Sequence, residues 1–248
     1  MSLIKTKEEI DLMAQGGKIL AAVLKEVEKM AKPGITTLEL DRAAEALILK
    51  YKAKPAFKGY DGFPYSLCTS INEDIVHAYP SNRALKEGDI VGLDLGVLYK
   101  GYNTDMAVTV AIGEVSFEAK RLMAVTRKAM KLGIKKARAG ITTGDIGNTI
   151  QRYVEDQGFG VVRDLVGHGI GKEVHEEPQV PNYGQRHKGT VLKEGMVICI
   201  EPMVTMGSHV IKRRKDGFGY ATKDGSLSAH FEHTIAIFKD GAKVLTKL

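Results

Sequence analysis

Cysteine is scarce in this chain, with two residues in 248. Cys68 and Cys199 stand far apart, in neither a CxxC pair nor a disulfide framework, which favours a reducing compartment. No apolar stretch reaches the roughly 20 residues that span a bilayer, and the opening MSLIKTKEEI lacks the apolar segment of a secretory signal. These absences predict a cytoplasmic protein with no membrane span.

The chain also lacks a large excess of positive or negative residues, since its formal net charge is only +6. The densest basic run is Lys212–Lys215, which is interpreted as a solvated loop or, alternatively, as a contact with an acidic surface such as nucleic acid or the ribosome. Hydrophobic residues make up 44% and charged residues 27%, as in ordinary globular proteins. The chain is therefore expected to fold around a substantial hydrophobic core. Because the sequence contains no coiled-coil heptads, a monomer is expected.

Two common nucleotide-binding motifs are missing from the glycine-rich stretch LVGHGIGKEVHEEPQV. Gly171-Lys172 is followed by Glu173, where a phosphate-binding loop needs Ser or Thr, and no glycine stands five positions before Gly171. The spaced glycines of a dinucleotide-binding fold are absent too. The stretch is also too rich in glycine for a helix.

What the sequence does contain is a long internal repeat. LKEGDIVGLDL at 85–95 returns as LKEGMVICIEP at 192–202, and KPGITTLEL from Lys32 returns as RAGITTGDI from Arg138. Helical patterns beginning at Leu12 and Leu122 precede both copies. One domain, residues 1–248, is thus predicted to consist of two related halves, approximately 5–113 and 114–248.

Each half is predicted to run helix, helix, strands. Capping-box spacings mark three helix starts, at Thr6/Glu9, Thr36/Glu39 and Thr142/Asp145. Because neither half can cover its own sheet, they are expected to share a core. The prediction is an α+β fold with pseudo-twofold symmetry and central antiparallel sheets covered by helices.

The repeat places acidic residues at equivalent positions. Asp94 lies in a predicted strand, Asp105 lies in its hairpin partner, and a turn at Tyr99-Lys100 would set the two directly opposite, with Cβ atoms about 4.5 to 5.5 Å apart. Gly92 and Gly96 are expected to leave open space beside Asp94. Two ionised carboxylates this close repel each other unless one is protonated or a cation lies between them.

The second half contributes Glu201 in the slot of Asp94 and Glu232 on the strand equivalent to that of Asp105. Four buried carboxylates would need protons or metal ions, and two divalent cations balance their charge. Oxygen ligands suit manganese, iron(II) or cobalt. The positions of the histidines do not by themselves identify a site. Four histidines are assigned ordinary surface or core roles: His187, His209, His230 and His233.

Several motifs together resemble the type I methionine aminopeptidases, in their short bacterial-like form, over essentially the whole chain. They are CTSINEDIVHAYP from Cys68, GDIVGLDLG around Asp94, GHGIGKEVHEEP from Gly167, IEPMV around Glu201 and SLSAHFEHT around Glu232. The resemblance implies the fold of that family, the pita-bread fold, which agrees with the duplication predicted from the repeat.

The resemblance also implies a dinuclear metal site. Asp94 would bind one ion, whereas His168 and Glu201 would bind the other. Asp105 and Glu232 would bridge the two. By the same resemblance His77, His175 and Glu201 are the catalytic residues, and a substrate pocket would be formed by Phe57, Tyr60, Phe63, Cys68, His77, His175 and Phe218, together with Val174.

The implied activity is removal of the N-terminal methionine from nascent polypeptides whose second residue is small, by a hydroxide that bridges two metal ions. One alternative is a Xaa-Pro peptidase of the same fold, which shares the ligand set but usually carries an additional N-terminal domain. The other alternative is a non-catalytic pita-bread protein that binds protein or RNA. Retention of all five ligand positions favours the enzyme.

Overall fold

The computed structural model describes residues 3–248, and these contain four α-helices and fifteen β-strands. The first half of the chain begins with two helices and continues with strands around a short 3₁₀ helix. Its elements are α1 (Lys7–Met30), α2 (Thr37–Lys50), β1 (Lys54–Pro55), the 3₁₀ helix (Tyr60–Gly62), β2 (Leu67–Ile71), β3 (Asp74–Val76), β4 (Ile90–Tyr99) and β5 (Tyr102–Ala111).

The second half repeats the order of two helices followed by strands, although its strands are shorter and more numerous. Its elements are α3 (Phe117–Lys136), α4 (Thr143–Asp156), β6 (Gly160–Val161), β7 (Gly167–Gly169), β8 (Glu176–Val180), β9 (Val197–Ile200), β10 (Met203–Thr205), β11 (Ile211–Arg213), β12 (Tyr220–Thr222), β13 (Ser228–His230), β14 (His233–Phe238) and β15 (Gly241–Val244).

The three predicted capping boxes are confirmed. Helices α1, α2 and α4 each begin after a threonine whose hydroxyl accepts a hydrogen bond from the backbone N–H three residues on, while the acidic side chain there accepts one from the threonine N–H. Helix α3 begins after Ser116, whose hydroxyl accepts from the Ala119 N–H at 3.1 Å. Local sequence therefore determines where the covering helices start.

The β4–β5 hairpin differs from the predicted one by a single position. Tyr99 pairs with Tyr102, so the turn consists of Lys100 and Gly101, both with positive φ, and the predicted Tyr99-Lys100 turn is wrong. A two-residue hairpin turn of this kind requires positive φ at both central positions, which glycine adopts readily. As a result Asp94 lies opposite Ala107, and the two carboxylates are diagonal neighbours on one face.

The same hydrogen bonds recur in the two halves. The Gly34 N–H donates to the Leu85 carbonyl at 2.8 Å, and in the second half the Gly140 N–H donates to the Leu192 carbonyl at 2.9 Å. Each of these bonds ties the segment between two helices to the start of the repeated LKEG phrase. The repeated sequence therefore accompanies a repeated backbone arrangement.

Strand β5 joins the first half to the second. The Thr234 hydroxyl accepts from the Asp105 N–H at 2.9 Å and donates to the Asp105 carbonyl at 2.8 Å, while the Glu232 N–H donates to the Ala107 carbonyl at 2.9 Å. These contacts place the acidic positions of both halves at one seam.

Each half has a large hydrophobic cluster, and a smaller cluster joins the halves as expected, packing Ile10 and Met13 of α1 against Val197 and Cys199 of β9. Helices α1 and α2 pack on β2 and β4, whose residues Val91, Leu93 and Leu95 are fully buried. Helices α3 and α4 pack on the sheet ordered β15-β14-β9-β7-β8. The helices thus cover the sheets from outside and leave the seam between the halves for the polar cluster. Within the described residues, no helix has the length and apolar character needed to cross a membrane.

Candidate metal centre and substrate cavity

Four carboxylates from the two halves meet at the seam. Asp94 and Asp105 come from the β4–β5 hairpin, Glu201 follows β9 and Glu232 precedes β14. All four are more than nine-tenths buried. Single oxygens of Asp94, Asp105 and Glu232 lie within 4.8 Å of one another, close enough to share a cation.

Burial makes ionisation of this cluster unfavourable. It raises the pKa of Asp94 to about 6, and it raises the pKa values of Asp105, Glu201 and Glu232 well above the usual range. For Asp105, Glu201 and Glu232, the negative charges of neighbouring carboxylates raise the pKa further. Protons therefore compete with cations for these carboxylates, and bound cations would favour the ionised form of the cluster.

Histidine His168 lies beside the carboxylates on strand β7. Flanking glycines allow the close approach of neighbouring strands: a side chain at Gly167 would meet the Cys199 carbonyl, and one at Gly169 would meet the Glu177 carbonyl. The His168 Nδ1 lies 2.9 Å from the Gly169 carbonyl, so it carries the proton and donates to it.

The Nε2 atom of His168 is consequently left with a lone pair. It lies 3.4 Å from Glu201 Oε1 and 3.9 Å from Glu232 Oε1. Burial lowers the pKa of His168 to about 3, which keeps the ring neutral. A neutral imidazole with its proton fixed on the far nitrogen is the form that binds metal ions.

Three carboxylate oxygens in the cluster have no hydrogen-bond partner among the described residues. They are Asp94 Oδ1, Asp105 Oδ1 and Glu232 Oε1, and all are inaccessible to solvent. Buried acceptors are rarely left unsatisfied in native proteins unless an ion or water binds them. The donor set, rich in oxygen and including a neutral imidazole, therefore fits divalent cations.

A cavity of about 180 Å³ opens beside the cluster. Every site residue predicted from the sequence lines it, except that Val174 is buried nearby without lining it. The sequence did not indicate five further lining residues: Asp61, Val76, Leu165, Val166 and Met203.

Two further histidines, His77 and His175, line the cavity. The His175 ring lies edge-on to His168, with ring centroids 4.4 Å apart, and its Nδ1 is 3.1 Å from the Tyr60 hydroxyl. His77 has a φ of 60°, a backbone conformation that non-glycine residues seldom adopt. Burial lowers the pKa of His77 to about 4, so this ring is neutral near pH 7.

Aromatic rings also line the cavity. The Phe63 ring lies 5.8 Å from that of Phe218 and 5.3 Å from that of Tyr79, between centroids. The expected open space beside Gly96 is in fact filled by Phe57, whose ring would be only 2.6 Å from a Cβ at Gly96. Pairing of β1 with β4 brings the Phe57 segment to this position.

The basic run Lys212–Lys215 is exposed, but it is not wholly unpaired. Arg214 forms ion pairs with Asp74 and, at 2.9 Å, with Asp216. Asp216 in turn accepts hydrogen bonds from the Phe218 and Gly219 N–H groups. Part of the run therefore holds the loop that carries Phe218.

Comparison with known proteins identifies the family of this chain. The sequence pattern described as metallopeptidase family M24 matches residues 11–239. A methionine aminopeptidase from Clostridium acetobutylicum is 52% identical over 247 residues, which cover 99% of each chain. The chain belongs to metallopeptidase family M24, among its methionine aminopeptidases.

Solved M24 structures confirm the predicted pita-bread α+β fold. The crystal structure of a methionine aminopeptidase from Thermotoga maritima superposes with a TM-score of 0.97, at 46% identity and 99% coverage of both chains. A prolidase from Pyrococcus horikoshii gives a TM-score of 0.81 at 28% identity, and this chain covers only 63% of it. That prolidase is therefore longer than this chain, as expected for a proline-specific peptidase with an additional domain.

His230 lies closer to the acidic cluster than the sequence suggested. His230 was expected to play an ordinary role, yet its ring is buried and its Nε2 lies 3.5 Å from Glu201 Oε2. One signal was present in the sequence, because His230 stands two residues before Glu232 on the same segment.

Proposed function

We propose that the cavity between the two halves hydrolyses the first peptide bond of polypeptides that begin with methionine. The observation that carries this proposal is the composition of the cavity, which is lined by buried carboxylates and imidazoles and also by aromatic rings. A reacting carbonyl and an apolar side chain can therefore be bound in one space.

Five residues would hold two divalent ions: Asp94, Asp105, His168, Glu201 and Glu232. The unsatisfied buried oxygens and the neutral His168 ring support this assignment. Manganese, iron(II) and cobalt all suit such ligands. When bound, the ions would supply Lewis acidity that lowers the pKa of water and polarises the scissile carbonyl.

Glu201 is the proposed proton acceptor for the attacking water. Its carboxylate is buried at the seam and lies beside His168, on the wall of the cavity. Burial raises its pKa, so that once ionised it is a stronger base than an exposed glutamate. It would accept the proton as the water attacks and later transfer it to the leaving amine.

The two cavity histidines are proposed to act on the substrate peptide. His175 would donate a hydrogen bond to the oxygen that gains negative charge, while the Tyr60 hydroxyl holds its ring at 3.1 Å. His77, neutral because of burial, would hydrogen-bond the scissile amide.

The aromatic rings of the cavity, together with Cys68, would select the methionine side chain. Phe57, Tyr60, Phe63, Cys68 and Phe218 line the cavity. A thioether sulfur gains about 0.3 to 1.5 kcal/mol from contact with aromatic rings, which favours methionine over other straight side chains.

The natural substrates would be nascent polypeptides with a small second residue, cleaved in the cytoplasm by a monomeric enzyme. The exposed residues of Lys212–Lys215 offer positive charge for a transient contact with the ribosome. The approximate halves 5–113 and 114–248 would together form one catalytic domain.

Peptide hydrolysis tests the proposal against its alternatives. Met-Ala-Ser and a Xaa-Pro peptide are each incubated with the protein, in parallel samples containing excess Mn(II), Co(II) or EDTA. We expect cleavage of Met-Ala-Ser with metal and none with EDTA. Preferred cleavage of the Xaa-Pro peptide would indicate the proline-specific alternative, and no cleavage of either would indicate a binding protein.

A further inference from the structure

His230 is buried against the proposed metal ligands, on the side away from His168. Its Nε2 lies 3.5 Å from Glu201 Oε2 and 3.9 Å from Glu232 Oε2. His168 approaches the other oxygens of the same two carboxylates, at 3.4 and 3.9 Å. The Glu201 and Glu232 carboxylates thus lie between two imidazoles.

The Nε2 atom of His230 has no hydrogen-bond partner among residues 3–248, although the residue is only 2% exposed. A buried polar atom without a partner costs free energy, so such an atom in a native protein usually binds something. Glu201, His230 and Glu232 each offer one ligand atom within 4.8 Å of the others, which is the spacing of a shared cation.

The backbone fixes His230 independently of any ion. Its N–H donates to the Thr109 hydroxyl at 2.9 Å, and that hydroxyl donates to the His230 carbonyl at 2.8 Å. On the opposite side, His230 pairs with Met203 through strands β13 and β10. The imidazole is therefore held in place as a preorganised ligand.

We propose that His230 is a further ligand of the metal centre, binding through Nε2 on the side of Glu201 opposite His168. The inference rests on the metal centre of the proposed function. It adds a second nitrogen donor to an oxygen-rich set, and imidazole favours iron(II), cobalt(II) and zinc over manganese(II). This chain is therefore expected to discriminate against manganese more strongly than a single-imidazole site would.

Proton NMR of the Co(II)-loaded wild-type protein tests the ligand directly. An imidazole bound to Co(II) through Nε2 shows its remaining N–H as an exchangeable, strongly shifted signal. We expect two such signals, from His168 and His230, in water, and their loss in deuterium oxide. A single signal would overturn the proposal, and so would a crystal structure in which His230 Nε2 only donates a hydrogen bond to Glu201.

Substitution gives a second, independent readout. The His230→Gln variant should show one shifted signal and bind Co(II) about 10- to 100-fold more weakly by calorimetry, with a smaller loss for Mn(II). His209→Gln, which changes a histidine away from the cavity, should match the wild type. Equal Co(II) affinity and two signals in His230→Gln would contradict the assignment.

The two proposals fail in different ways. If wild-type protein binds no metal at saturating Co(II) or Mn(II), the metal centre of the proposed function is wrong, and the role of His230 falls with it. If wild-type protein binds metal and cleaves Met-Ala-Ser but gives one shifted imidazole signal, only the inference about His230 is overturned. Circular dichroism of His230→Gln verifies that the variant is folded.

Discussion

The two halves present their acidic residues from equivalent positions but in different chemical surroundings. Asp94 and Asp105 lie inside a regular hairpin of two ten-residue strands, with short side chains on one face. Glu201 and Glu232 lie just outside the shorter strands β9 and β14, with longer side chains flanked by His168 and His230. The duplication therefore supplies a symmetric scaffold for an asymmetric site.

This difference indicates a division of roles. The two short carboxylates of the first half suit metal binding, whereas the second half combines a ligand with a proton acceptor in Glu201. The first half also supplies most of the aromatic pocket. If the halves were chemically equivalent, exchanging an acid in either half would have the same effect.

The largest expected effect is that of Glu201→Gln. Loss of the proton acceptor and of a charged ligand should lower kcat for Met-Ala-Ser by about 10³-fold or more. Turnover is measured at saturating Mn(II). The control is Glu194→Gln, an exposed glutamate of the same repeat, which should be unaffected. Retained activity in Glu201→Gln would disprove its catalytic role.

A smaller loss is expected for Asp94→Asn in the first half. This change should reduce metal content from two ions to about one per chain and lower activity by roughly 10- to 100-fold. Metal analysis after gel filtration measures the content, with the exposed Asp240→Asn as the control. If Asp94→Asn were as inactive as Glu201→Gln and still held two ions, the division of roles would be wrong.

The substitution Gly96→Ala tests the role of the pocket residues that the first half supplies. The new Cβ would lie 2.6 Å from the Phe57 ring and 2.8 Å from the Ala56 Cβ, so the segment that carries Phe57, a residue of the cavity wall, must shift. We expect kcat/KM for Met-Ala-Ser to fall by about 10-fold, mainly through KM. Gly241→Ala, which has open space, is the matched control, and an unchanged KM for Gly96→Ala would contradict the pocket assignment.

The smallest expected effect concerns the stability of metal-free protein. Without metal, the folded protein keeps protons on the carboxylates Asp105, Glu201 and Glu232 to a higher pH than the unfolded chain does, because burial raises their pKa values. The free energy of unfolding should therefore fall as the pH rises. Saturating Mn(II) should remove this slope because it displaces those protons. Thermal midpoints measured with and without Mn(II) test this, and identical slopes would contradict it.

Much of this architecture was predictable because it depends on local sequence and on the repeat. The capping boxes at Thr6, Thr36 and Thr142 define helix starts, and strand alternation places Asp94 and Asp105 on one face. The hairpin register was wrong by one residue, since the turn depends on φ at Lys100 and Gly101 rather than on the strands.

The remaining features depend on contacts between distant segments. Phe57 fills the space beside Gly96 only because β1 pairs with β4, and Met203 reaches the cavity through a three-residue strand. His230 approaches Glu201 because Thr109, from the other half, holds its backbone. No local pattern in the sequence indicates such contacts. Phe57 was expected in the pocket only through the family resemblance, and the positions of Met203 and His230 at the site were not predicted.

A crystal structure of protein soaked in excess Mn(II), with anomalous diffraction data, tests the central claim most directly. We expect two anomalous peaks at the seam, one contacted by Asp94, Asp105 and Glu232 and the other contacted by His168, Glu201 and the same bridging acids. An intact fold with no anomalous peak among these five side chains would contradict the account.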